Sequence, residues 1–138
     1  MLVVEVLDTQ AGRHKKAIKA ASKWLMKTLN KGSFYLEVYL VGNDFMNKNV
    51  LSFAHPKGFP LPDLKQQALG EIYLNPKYIK AHGEDLTYML IHGFLHLLGY
   101  DHIKKSDRIV MERKEQKLLT SYTMYAISGR TRHRIGGH

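Results

Sequence analysis

Three of the chain's eight histidines, His92, His96 and His102, fall within one short run, HGFLHLLGYDH. On a helix, residues four apart share a face, so His92 and His96 present their imidazoles together, one turn apart. Gly99 suits the left-handed position where a helix ends and the chain reverses. That turn returns His102 toward the pair. The pattern H-x-x-x-H-x-x-G-x-x-H thus supplies three nitrogen donors from two directions, as a tetrahedral metal site with one open position requires. The chain has no cysteine, which removes thiolate ligation and disulfides. All-nitrogen ligation favours Zn²⁺, with Ni²⁺, Co²⁺, Cu²⁺ and Fe²⁺ chemically admissible.

The element that must carry the first two histidines is a helix over about Glu84 to Leu98. Glu84 and Asp85 suit its N-terminal dipole. Met89, Leu90, Ile91, Phe94, Leu95, Leu97 and Leu98 cover almost all its faces, which predicts a central, buried helix. Upstream, LVVEV, FYLEVYLVG, NVLSF and GEIYLN read as four strands, the last ended by Asn75-Pro76. Ala17, Ile18, Ala21, Leu25 and Leu29 recur at helical steps between about Gln10 and Leu29, and Asn30-Lys31-Gly32 stops that helix. Residues 55–63 are proline-rich and predict a loop. A more polar helix runs from about Ser106 to Tyr122. Strands that precede two helices, rather than alternating with them, predict an α+β fold: about four strands in a mixed sheet packed against helices. The expected organisation is one domain over residues 1–127 and a basic, disordered tail over 128–138.

Charge narrows the partners. The formal net charge is +9, which points to a polyanion. No acidic residue lies between Asp8 and Glu37, while Arg13, Lys15, Lys16, Lys19, Lys23, Lys27 and Lys31 do. Lys16, Lys19, Lys23 and Lys27 hold helical steps on one face and are candidates for binding substrate phosphates. Arg130, Arg132, His133 and Arg134 form a second basic cluster in the tail. No apolar run reaches the length of a membrane span, and MLVVEVLD lacks the pattern of a signal peptide, so a cytoplasmic protein is expected.

The histidine spacing is that of the metzincin proteases, H-E-x-x-H-x-x-G-x-x-H, with one change. Gly93 stands where those proteases carry the glutamate that takes a proton from the metal-bound water. A glycine inside a helix costs about 1 kcal/mol relative to alanine, so close approach of a neighbouring strand or of substrate is expected there. Peptide hydrolysis by the metzincin route is poorly supported without that base. Polarisation of a phosphoryl oxygen is still open to such a metal.

With these residues in view, the chain resembles the YbeY family of bacterial endoribonucleases. HGFLHLLGYDH matches that family's HGxLHLxGYDH signature, and NVLSF at 49–53 matches its (D/N)VLSF strand. LGEIYLN at 69–75 is similar to its LGDIxI strand, and MERKEQKLL at 111–119 looks like its C-terminal helix. The resemblance implies a four-stranded α+β sheet and zinc, one ion per chain, held by His92, His96 and His102. It also implies single-strand-specific RNA cleavage in 16S rRNA 3′-end maturation and ribosome quality control, with ribosomal or GTPase proteins as partners. The family commonly carries a functional arginine before the VLSF strand. Here GNDFMNKNVLSF has none, and Lys48 is the only cation. Lys48 is either an exposed turn lysine or the replacement, which would offer a point charge in place of a planar fork.

Glu71 and Asp101 are weaker candidates, each readable as structural or as orienting a ligand histidine. Ser52 is a strand serine or a hydrogen-bonding group near the site, and His55 falls outside the triad's spacing. Two rival readings remain: a non-catalytic ribosome-associated factor with a structural zinc, and a zinc-dependent peptide or amide hydrolase.

Overall fold

The computed structural model describes residues 1–55 and 67–136. Most of the expected loop at 55–63 lies outside them. Four strands form one mixed sheet: β1 (Leu2–Val6), β2 (Tyr35–Leu40), β3 (Val50–Ala54) and β4 (Ala68–Leu74). Their order is β1-β2-β4-β3. β1 and β2 run parallel, β2 and β4 run parallel, and β3 lies antiparallel to β4 at the edge. β2 alternates half-buried and buried residues along its whole length, the pattern of a sheet with one covered face. Leu36, Val38, Leu40, Ile72 and Leu74 are fully buried on that face.

Two helices cover it. α1 (Lys15–Thr28) buries Ile18, Ala21 and Leu25, and α3 (Leu86–Leu97) buries Leu90, Ile91, Phe94 and Leu95. Burying each such large side chain contributes roughly 1.5–3 kcal/mol, so α3 is anchored on several sides and its orientation is fixed. Asp85 caps it, accepting from the Tyr88 N–H at 2.8 Å. The long α4 (Lys105–Gly136) then lies along α3 through Met111 and Leu118.

Three boundaries differ from the sequence expectation. The expected helix from Gln10 starts as a 3₁₀ stretch, Thr9–His14, capped by Asp8, and becomes α-helical only at Lys15. Asn75-Pro76 ends β4 as expected, but it also begins a short helix, α2 (Pro76–Ala81). Asn75 is its cap and Pro76 its first residue, where the missing N–H is not needed. The last helix passes the expected end at Tyr122 and continues to Gly136.

Candidate metal centre

α3 presents His92 and His96 on one face, and Gly93 shows why that face points as it does. A Cβ at Gly93 would stand 3.1 Å from both Ile72 Cγ2 and Val50 Cγ2. The glycine lets the helix lie close on β3 and β4, which turns the neighbouring histidines away from the sheet. It is the strand, of the two expected neighbours, that approaches here. Gly99 has φ +96°, the left-handed region that lets the chain reverse. Asp101 then shapes the return: its Oδ1 accepts from the His102 N–H at 2.6 Å and the Ile103 N–H at 3.1 Å. Asp101 therefore fixes the turn.

The result is convergence. His92 Nε2 and His96 Nε2 lie 3.1 Å apart. His102 brings its ring within 4.9 Å of the His96 ring and 5.6 Å of the His92 ring, centre to centre. One ligand atom from each of the three lies within 4.8 Å of the others, so the cluster could hold a metal ion. Burial, then the proximity of His92 and His102, lowers the His96 pKa from 6.5. That keeps its imidazole neutral, the form a metal needs.

Glu115 on α4 completes the arrangement, and sequence reasoning missed it. It is only 2% exposed, and its carboxylate lies 2.7 Å from His92 Nδ1. The Tyr88 phenol is close enough to feel its charge; burial first, then Glu115, pushes that phenol's pKa up. A carboxylate on Nδ1 fixes the tautomer that leaves Nε2 free to ligate. A signal was present. Met111, Glu115, Leu118 and Tyr122 fall at helical steps, which places a carboxylate within an apolar stripe.

A cavity of about 290 Å³ adjoins His92 and His102, and Asn49 and Arg108 line it. Asn49 is held by the Glu84 carboxylate at 3.2 and 3.3 Å. Lys48 is exposed on the preceding turn, and it is Asn49 beside it that faces the cavity. Arg108 is the cation in the cavity wall. Glu71 lies elsewhere: it accepts from the Tyr73 phenol at 3.0 Å on the sheet face away from the helices. Ser52 pairs in register with Ile72, and His55 is outside the cluster.

Lys16, Lys19, Lys23 and Lys27 are all exposed on α1. They do not enter the histidine cavity. Lys23 and Lys27 instead border a groove of about 580 Å³ with Trp24 and Tyr125, where α1 meets α4. No helix among the described residues is long and apolar enough to cross a membrane.

The chain is similar to known proteins. The sequence profile described as Endoribonuclease YbeY matches residues 42–123, which hold the whole histidine cluster and Glu115. A protein of Lacticaseibacillus paracasei named Endoribonuclease YbeY is 33% identical over 110 residues, 63% of this chain and 72% of that protein. One of the same name from Nitrosomonas europaea is 34% identical over 117 residues, 71% of this chain and 67% of that protein. The fold is similar to the solution structure of TM1509 from Thermotoga maritima, with a TM-score of 0.53 at 19% identity over 91% of this chain and 93% of that one. A profile match over more than half of the chain, carried by these relatives, places the protein in the endoribonuclease YbeY family, among the hydrolytic nucleases.

Proposed function

We propose that this chain is a zinc-dependent, single-strand-specific endoribonuclease acting on 16S rRNA 3′ ends and in ribosome quality control. The observation that carries the reading is the convergence of His92, His96 and His102 beside an open cavity, in a chain of an endoribonuclease family. Three imidazoles fit zinc, whose tetrahedral sites accept nitrogen at about 2.0–2.1 Å, and they form a metzincin-like ligand set without the protease's glutamate. A purely structural zinc has four protein ligands. Among the described residues three donors cluster, and His102 is exposed, which favours catalysis over a structural role. When bound, the ion would supply Lewis acidity toward a phosphodiester oxygen and an acidified water.

The remaining roles belong to the chain's own groups. Glu115 holds the His92 ring in place. Arg108, with its planar fork, is suited to orient the scissile phosphate from the cavity wall, and Lys48 adds a more distant positive charge. Lys16, Lys19, Lys23 and Lys27 track the RNA backbone, and Trp24 and Tyr125 offer faces for unpaired bases. Tyr125 lies ten residues beyond Glu115 on α4, about 15 Å along the helix. The cellular setting that goes with this reading is the cytoplasm, with ribosomal or GTPase proteins as partners. Residues 1–127 act as one domain and 128–138 as a basic extension.

His96→Ala tests the centre. Protein purified without nickel resin should carry about one zinc per chain and cleave single-stranded but not duplex RNA. The variant should lose the metal, and its cleavage should fall by more than about 100-fold, the upper cost of losing only an outer-shell partner. Cleavage that survives both this substitution and a chelator would remove the metal mechanism. Arg108→Ala and Lys48→Ala, compared side by side, assign the phosphate-facing cation: the greater loss of kcat is expected from Arg108→Ala.

A further inference from the structure

The sheet has a second face. α1 and α3 both pack on one side of it, and among the described residues no helix packs on the other. Strand alternation turns Glu37 and Tyr39 of β2, and Glu71 and Tyr73 of β4, toward that open side. Tyr39 and Tyr73 are register partners and stack, with ring centres 4.8 Å apart and planes 14° from parallel. Phe45, from the turn after β2, stacks on Tyr73 at 5.4 Å, and Phe53 of β3 meets the same ring edge-on at 5.9 Å. Phe45 and Phe53 are more than half exposed, at 57% and 53%. A continuous aromatic surface therefore faces solvent.

Its charge is opposite to that of the molecule. The chain has 21 lysines and arginines, yet its four strands contain none, while they contain Glu5, Glu37 and Glu71. Glu37 and Glu71 are register partners on adjacent strands, and like charges placed across from each other cost stability. Each is also pinned. The Tyr39 phenol donates to Glu37, and the Tyr73 phenol donates to Glu71 at 3.0 Å. Both phenols have raised pKa values, Tyr39 first through its bond to Glu37 and Tyr73 first through burial. They remain protonated donors at neutral pH. Among the described residues, neither carboxylate has an ion-pair partner. Two fixed negative charges thus lie side by side among aromatic rings, without a counter-ion on the sheet.

We propose that this face docks a cationic, arginine- or lysine-rich segment of a separate polypeptide. A guanidinium can stack on the tyrosine and phenylalanine faces while pairing with a carboxylate in two-point fashion. Unpaired RNA bases also stack on aromatic rings, but their phosphates would be drawn against Glu37 and Glu71. The basic surface suited to RNA is α1, on the opposite side of the sheet. The chain's own basic C-terminal cluster, Arg130, Arg132, His133 and Arg134, belongs to the end of α4, which packs on α3 and meets Trp24 of α1 through Tyr125. It is rooted on that same helix-covered side. This docking is independent of the metal centre.

The test titrates a labelled octapeptide of alternating arginine and glycine into the full chain. Fluorescence anisotropy reads affinity, and amide shifts read the site. Saturable binding is expected, with shifts concentrated on the outward residues of β2, β3 and β4. The Glu37→Gln/Glu71→Gln double variant keeps an acceptor for each phenol. It should weaken peptide binding by about tenfold, the effect of two exposed charge pairs, and leave binding of a twelve-nucleotide oligouridine unchanged. Phe45→Ser, at an exposed turn, should also weaken the peptide and serves if the double variant does not fold. Peptide affinity unchanged in these variants overturns the proposal. So does oligouridine that shifts the same residues and binds the double variant more tightly, which would make this a nucleic-acid face. Self-association abolished by the double variant would instead assign the face to a second copy.

Discussion

Glu115→Gln changes one buried group that acts on a ligand histidine. Its carboxylate sets the His92 ring through Nδ1. Outer partners of metal-bound histidines are worth about 10–100-fold in affinity, and a loss in that range is expected here. Zinc competition against a chromophoric chelator should show that loss, and an unchanged affinity would refute the orienting role. Acid should act through His96. The unfolded chain's His96 takes up its proton near the ordinary 6.5, and the folded chain's only at lower pH. Between those values the unfolded state holds more protons, so stability is full above 6.5 and is lost as pH falls toward the folded value. Metal-free protein should therefore melt lower at pH 5.5 than at pH 7.5, and His96→Asn should remove part of that slope. At this scale the histidines and Gly99 were legible because their spacing is local. Glu115 was not, because its partner lies 23 residues away and only tertiary packing joins them.

At the scale of elements, one asparagine joins three. Asn75 is fully buried. Its Oδ1 accepts from the Tyr78 N–H at 3.1 Å and caps α2. Its Nδ2 donates to the Met46 carbonyl at 2.9 Å and to Asn43 Oδ1 at 2.8 Å. Its own N–H bonds to the Asn49 carbonyl at 3.1 Å. The turn that carries Lys48 and Asn49 is thus fastened to the end of β4. Asn75→Ala should cost about 2–4 kcal/mol, the sum of a lost cap and an orphaned buried carbonyl. Denaturant unfolding would measure it, and a cost below about 1 kcal/mol would show that the turn is held by other means. The four strands and the α3 span were readable from periodicity. α2 was not, because Asn-Pro signals a strand's end and a helix's start with the same two residues. The C-terminal helix was cut short at Tyr122 because the stripe of buried apolar residues that marks it, Met111 and Leu118, does not continue beyond that point among the described residues.

At the scale of the whole molecule, charge is sorted by face: lysines on α1, glutamates on the far side of the sheet. Composition alone showed the excess but not the sorting, since strand alternation decides which glutamates share a face. Replacing Lys16, Lys19, Lys23 and Lys27 with glutamine should flatten the salt dependence of single-stranded RNA binding. The slope of log K against log salt should change by about 0.7 for each phosphate no longer neutralised, and by about 3 for four. A slope that does not move would place the RNA track elsewhere.

The bond between His92 and Glu115 has a consequence for α4 as a whole. It joins the ligand helix to a helix of 32 residues, which ten residues further on supplies Tyr125 to the lysine-bordered groove. Ligand release at one end would let that helix open as a cooperative unit. Amide hydrogens along α4 should then exchange faster in metal-stripped protein than in the loaded form, while those of β2 and β4 stay protected. Equal exchange along α4 in both forms would separate the two ends. A coupled helix would make the ion a latch on the binding track as well as a reagent in the cavity, so that a chain without metal holds RNA less tightly even before any bond is cut.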